Sequence, residues 1–157
     1  MTRTDKLTKL IAVFDQFHGA IEALDDPLAK RLAANWTEIR SNYLAPTKAP
    51  RSAYAAGMEQ GLRETPLLLG SMPPPARKAA AEALAVAIAA HYPEFLLKDA
   101  AQLERIKVHG SIRGEREFYL VRHHLDILEG DPMRKQELQQ WYELVDRFES
   151  RGTKISP

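Results

Sequence analysis

Apolar side chains recur at intervals of three and four residues along most of this chain, the rhythm of helices that bury one face. From residue 5 to 24, Leu7, Leu10, Phe14, Phe17, Ile21 and Leu24 step alternately by three and four, a heptad seam. A seam of under three heptads predicts packing along a neighbour at a shallow angle rather than a long coiled coil. Thr4 is its candidate cap. Asp25-Asp26-Pro27 then offers a cap and an N1 proline for a second helix, which carries Leu28, Leu32, Trp36, Ile39 and Tyr43 on one side. The chain closes as it opens. Residues 114–149 read as two helices folded across Gly130-Asp131-Pro132, with Phe118, Val121, Leu125 and Leu128 on the first and Leu138, Trp141, Val145 and Phe148 on the second. At that junction glycine can end a helix in the left-handed conformation, aspartate can cap the next, and proline gives up an N–H that had no partner.

The middle is less regular. Residues 45–52 carry Pro46 and Pro50 and read as a loop, and residues 53–63 as a short helix weakened by Gly57 and Gly61. Pro66 and Pro73-Pro74-Pro75 predict an extended, Pro-rich crossover over residues 64–75. Leu67, Leu68, Leu69 and Met72 in such a segment need cover. They either drape over the bundle or stay exposed as a partner-binding ledge. Residues 76–91 form an alanine-rich helix with Leu84 and Ile88 as its larger contacts, expected in the middle of the fold. Asp99-Ala-Ala-Gln102 reads as a capping box opening a helix that carries Leu103 and Ile106 and stops at Gly110. The one alternative to helix is a short β pairing of residues 106–108 with Ile112. The pattern predicts an all-α, single-domain bundle of six to seven helices over residues 1–157, with antiparallel helical hairpins at both ends, a Pro-rich crossover between them and a flexible tail from 152 to 157.

Composition fits one such unit. At 157 residues, 45% hydrophobic and 27% charged, the chain can bury a core and resembles neither a disordered nor a membrane protein. The longest apolar run, residues 79–90, is broken by Glu82 and is too short to span a bilayer. No secretory signal pattern opens the chain, so cytoplasmic residence is expected. Absence of cysteine removes disulfides, thiolate metal sites and cysteine nucleophiles together. A net charge of +1 gives no long-range field toward nucleic acid or anionic lipid. Locally, residues 30–63 hold six basic side chains against two acidic ones, with Trp36, Tyr43 and Tyr54 interleaved. Lys30, Arg31, Arg40, Lys48 and Arg51 are therefore candidates for a nucleic-acid or acidic-partner rim, although Trp36 and Tyr43 share the core face of their helix.

Candidate chemistry concentrates on the first helix of the closing pair. At ~100° per residue, Phe118, Leu120, Val121, Leu125, Ile127 and Leu128 cover about half of its circumference, which predicts a helix covered on two sides. His124 and Glu117 fall inside that apolar arc, and Tyr119, Arg122, Asp126 and Glu129 fall on the polar side. His124 is thus a bonded core histidine or a burial-tuned general base, and Glu117 compensates the helix dipole. Arg116 and His123 stand at the edge of the arc in an R-x6-H spacing. This pair is similar to the R-x4-6-H motif of HEPN metal-independent ribonucleases, which are all-helical, and the resemblance covers those two residues. It implies an arginine on the scissile phosphate and a histidine acting on the attacking 2′-hydroxyl.

The five histidines form no H-x3-H, H-E-x-x-H or E-x-x-H pair, so neither a metal nor a cofactor is expected. No Gly-rich phosphate loop follows a strand, and no nucleophile elbow is present. The expectation is a non-enzymatic binding or regulatory protein that engages a protein partner or a second copy through Leu67, Leu68, Leu69 and Met72, and no membrane. The alternative is an RNA-cleaving or RNA-binding protein using Arg116, His123 and His124 and the basic rim of residues 30–63.

Overall fold

A computed structural model describes the backbone of residues 5–155 and the side chains of residues 5–151. Among these it contains seven α-helices, one 3-10 turn and no strand. The helices are α1 (Lys6–Glu22), α2 (Pro27–Leu44), α3 (Arg51–Leu69), α4 (Pro74–His91), α5 (Glu94–His109), α6 (Glu115–Leu128) and α7 (Lys135–Ile155). The protein is an all-α bundle.

Local chemistry sets most of the ends. Asp5 caps α1 by accepting from the Thr8 N–H at 2.9 Å, and Asp26 caps α2 by accepting from the Ala29 N–H at 2.9 Å. Thr4, the cap expected from sequence, lies outside the described residues. Gly110 ends α5 with φ 85°, and Gly130 takes φ 91° after α6. Asp131 then accepts from the Met133 N–H, and Pro132 opens the turn that leads into α7. The backbone of α7 runs to Ile155, so most of the segment expected as a tail is helical, and residues 156 and 157 lie outside the described ones.

Helices α1 and α4 pack against each other at the centre of the first half, with α2 and α3 on α1. Helix α6 sits against α3 and α4 on one side and carries α7 and α5 on others, which makes it central, as its wide apolar arc predicts. Contacts run in opposite senses along α1 and α2: Glu22 meets Lys30, and Asp15 meets Trp36 and Arg40. The same holds for α6 and α7, where His124 meets Glu137 and Phe118 stacks on Phe148. Apolar burial divides into two clusters. One gathers Leu10, Phe17, Trp36, Leu62, Leu84 and Ile88 from α1 to α4. The other gathers Ile106, Ile112, Val121, Leu125 and Trp141 from α5 to α7. Helix α5 belongs to both, giving Phe95 to the first and Leu103 and Ile106 to the second.

Three expectations are corrected. The Pro-rich crossover does not begin at residue 64, because α3 continues through Pro66 to Leu69. Leu62, Thr65 and Leu69 lie on one stripe of that helix, all three buried, and burying Leu69 (~1.5–3 kcal/mol) offsets much of the ~3 kcal/mol that an internal proline costs. The Thr65 hydroxyl donates to the Gly61 carbonyl at 2.9 Å in the same turn. Second, α5 starts at Glu94, five residues before the expected capping box, so Asp99 is inside the helix and residues 106–108 are helical rather than β. Third, on α6 it is His123 that is buried, at 8% exposure, with Asp126 at 3%, while His124 is half-buried. The apolar arc is buried as expected, and His123 and Asp126 beside it are covered as well because α4 packs on α6 and brings Arg77 to Asp126.

Polar bonds join the two halves. Asp126 of α6 accepts from Arg77 of α4, with Nε at 2.7 Å, and Lys78 donates to the Asp126 and Glu129 carbonyls at 2.7 and 2.8 Å. Glu59 of α3, 3% exposed, pairs with Lys6 of α1 at 2.7 Å and with Lys98 of α5. Burial alone would raise its carboxyl, but the two lysines hold it below the ordinary value. Gly70 lets α3 approach α6, since a Cβ there would lie 2.6 Å from the Tyr119 ring.

Candidate functional site

An open cleft of about 850 Å³ lies between α3, α5 and the first turns of α6. Its size is that of a small-molecule or side-chain-binding site. Helix α3 contributes Arg63, Glu64 and Leu67, α5 contributes Leu97, Asp99 and Gln102, and α6 contributes Arg116, Tyr119 and Leu120. The continuation of α3 through Pro66 is what forms the first wall: with Leu69 turned inward, Leu67 faces out at 47% exposure. Leu97 of α5 lines the same cleft at 72% exposure. Two leucines left in water on the walls of one cleft form an apolar surface rimmed by charge.

Most of the rim charges are committed. Glu64 accepts from Gln60 at 2.9 Å and lies 3.7 Å from Arg116. Glu117 accepts from the Arg113 backbone N–H at 2.8 Å and its guanidinium at 3.1 Å, so it holds the start of α6. Lys98 is spent on Glu59, and Arg105 donates to Gln102 at 2.9 Å. Asp99 differs. It lies on the buried stripe of α5 between Phe95 and Ile106, and burial pushes its carboxyl up to about 6, with Arg63 pulling the other way.

Few of the sequence candidates meet here. Of the expected ledge, Leu67 lines the cleft, Leu68 is exposed elsewhere at 48%, and Leu69 and Met72 are buried at 1% and 3%. Arg116 is at the cleft mouth with 85% of its side chain exposed. His123 lines a separate cavity of about 10 Å³ beside Arg77, Arg122 and Asp126, with Tyr119 between the two spaces. Its Nδ1 is buried without a hydrogen-bond partner, and desolvation, helped by His124, pushes the ring down to about 4. His124 bonds Glu137 at 3.2 Å and meets the Trp141 ring edge-on. The basic rim does not converge: Arg40 forks onto Asp15 at 2.8 and 3.0 Å, Arg51 forks onto Asp5 at 2.7 and 3.0 Å, and Lys30 donates to the Glu22 carbonyl. Arg31 and Lys48 remain exposed, and Trp36 is in the core with its indole N–H on Asp15.

Sequence reading missed Arg63, Leu97, Asp99 and Gln102 as neighbours. A leucine off the apolar stripe of α5 and a carboxylate on it were the available signals, hidden by starting that helix at Asp99. Among the described residues no three histidine or carboxylate side chains gather as a metal would need, and no helix is long and apolar enough to cross a membrane. No family model matches the chain, and comparisons with curated proteins and with solved structures returned no match.

Proposed function

We propose that this is a non-enzymatic binding protein that engages a protein partner through the cleft between α3, α5 and α6. The observation that carries the reading is the pair Leu67 and Leu97, half and mostly exposed, both lining one 850 Å³ cleft. Burying apolar side chains of that size gains ~1.5–3 kcal/mol each, so two of them supply an anchor for an incoming apolar segment. The ribonuclease alternative has less behind it, because Arg116 and His123 line different cavities and burial, pushing the His123 ring down to about 4, makes it a weak base.

A photo-crosslinking amino acid placed at Leu97, and as a control at Val108, which is 80% exposed outside the cleft, tests the reading in the native cell. A discrete protein adduct from position 97, absent from position 108 and lost when Leu67→Glu is added, is the expected result. Identical adduct patterns at both positions would sink the proposal.

A further inference from the structure

We infer that the small cavity between α3, α4 and α6 is a site for a single halide ion, held by the guanidinium of Arg122 and the ring N–H of His123. The inference does not depend on the cleft. Two observations that point to a ligand meet in this space. His123 is 8% exposed and its Nδ1 has no hydrogen-bond partner, an arrangement that costs free energy in a buried polar group. Arg122 lines the same space, half-buried, and makes no ion pair or hydrogen bond among the described residues.

Charge decides the kind of occupant. The charged side chains that line the cavity are Arg77, Arg122 and Asp126, two basic and one acidic, which leaves one positive charge over. Arg77 and Asp126 answer each other, with Nε 2.7 Å from a carboxylate oxygen, so the surplus is that of Arg122. His123 adds no charge near pH 7, since desolvation pushes its ring down to about 4. A neutral occupant would serve the histidine and leave the arginine as it stands, whereas an anion accepts from both. Size narrows the choice. The cavity holds about 10 Å³, room for one water-sized atom, which a sulfate, phosphate or carboxylate group exceeds. Leu69 and Ala81, both buried, give it dry walls, and a low local dielectric strengthens the attraction between ion and guanidinium.

Ring-nitrogen NMR of the whole chain at pH 7.5 tests this, with sodium chloride replacing sodium gluconate at constant ionic strength. The His123 nitrogens are expected to shift saturably with chloride, while those of His18 and His91, which do not line the cavity, stay fixed. Sodium sulfate in place of chloride should leave all of them unmoved. Arg122→Gln should weaken the chloride response at least tenfold, and Arg122→Lys should restore part of it, a recovery that a purely structural role does not give. Absence of a saturable His123 shift overturns the site. An equal response in Arg122→Gln, or an equal response to sulfate, overturns it as well. The comparison of chloride with sulfate uses the unaltered chain, so it decides the matter even where a variant fails to fold.

Discussion

The two halves of the bundle solve the same packing problem differently. Helices α1 to α4 close around a broad apolar core in which Leu10, Val13, Ile21, Ala80 and Ala87 have no exposure at all. Helices α5 to α7 gather a smaller core around Trp141 and Ile112, and lean on the first half through Asp126, Lys78 and Glu59. Apolar burial has no direction, so it can be made continuous within a half. Ion pairs and lysine-to-carbonyl bonds have fixed geometry, and they allow the halves to meet along one line while standing apart along another. The cleft is that second line, and α5 crosses it with Phe95 in one core, Ile106 in the other and Asp99 between them.

The largest break in this arrangement should come from Asp126→Ala. It leaves Arg77, 15% exposed, without its carboxylate in the seam, and losing one partner of a buried pair costs ~3–5 kcal/mol. Urea unfolding should show that loss. If the second half depends on the seam, fluorescence of Trp141 should report the transition earlier than a far-ultraviolet signal that averages all helices. Coincident transitions would show a single cooperative unit instead.

Asp99→Asn should act with the opposite sign. The ordinary aspartate value is 3.8 and the folded value about 6, so the ionised carboxyl opposes folding above pH ~6 and the neutral acid below pH ~4 does not. Removing the charge is therefore expected to stabilise the chain at pH 7.5 by ~1–3 kcal/mol and to change little at pH 4. An equal effect at both pH values would mean that Asp99 is an ordinary surface carboxylate. Glu137 is the counter-example in the second half: Arg134, with help from His124 and Trp141, holds it at about 2, so its contribution is complete above pH ~4.5 and is lost as pH falls toward 2.

A destabilisation of similar size is expected from Gly70→Ala. The new Cβ would press on the Tyr119 ring, and such overpacking costs ~1–3 kcal/mol. Because Tyr119 lines both the cleft and the small cavity at His123, partner cross-linking from position 97 should fall together with stability. The smallest change in stability, under ~0.5 kcal/mol, belongs to Leu97→Gln, since that leucine is 72% exposed. Loss of partner binding with an unchanged unfolding midpoint would separate the cleft wall from the core.

Most of the helices were legible in the sequence, and the candidate site was not. Helix ends at Asp26-Pro27, Gly110 and Gly130-Asp131-Pro132 follow from caps and turn residues that act within four positions of themselves. The heptad seam of α1 supplied all six positions to the core for the same reason, with Leu7, Leu10, Phe17 and Ile21 buried and Phe14 and Leu24 partly buried against them. Three outcomes needed the assembled fold. Pro66 is inside a helix because α1, α4 and α6 reward the stripe that contains Leu62 and Leu69 on either side of it. His123 rather than His124 is buried because α6 meets α3, α4 and α7 together, which no single arc of residues can encode. The cleft exists only where α3, α5 and α6 come together, which brings Leu67 and Leu97, thirty positions apart, to the lining of one space. Local preferences name most of the helical segments and the ends set by caps and turn residues, but not the run of α3 past Pro66 or the start of α5 at Glu94. Which faces are covered, and which carboxylate is left without a donor, was decided by how distant helices share the available surface.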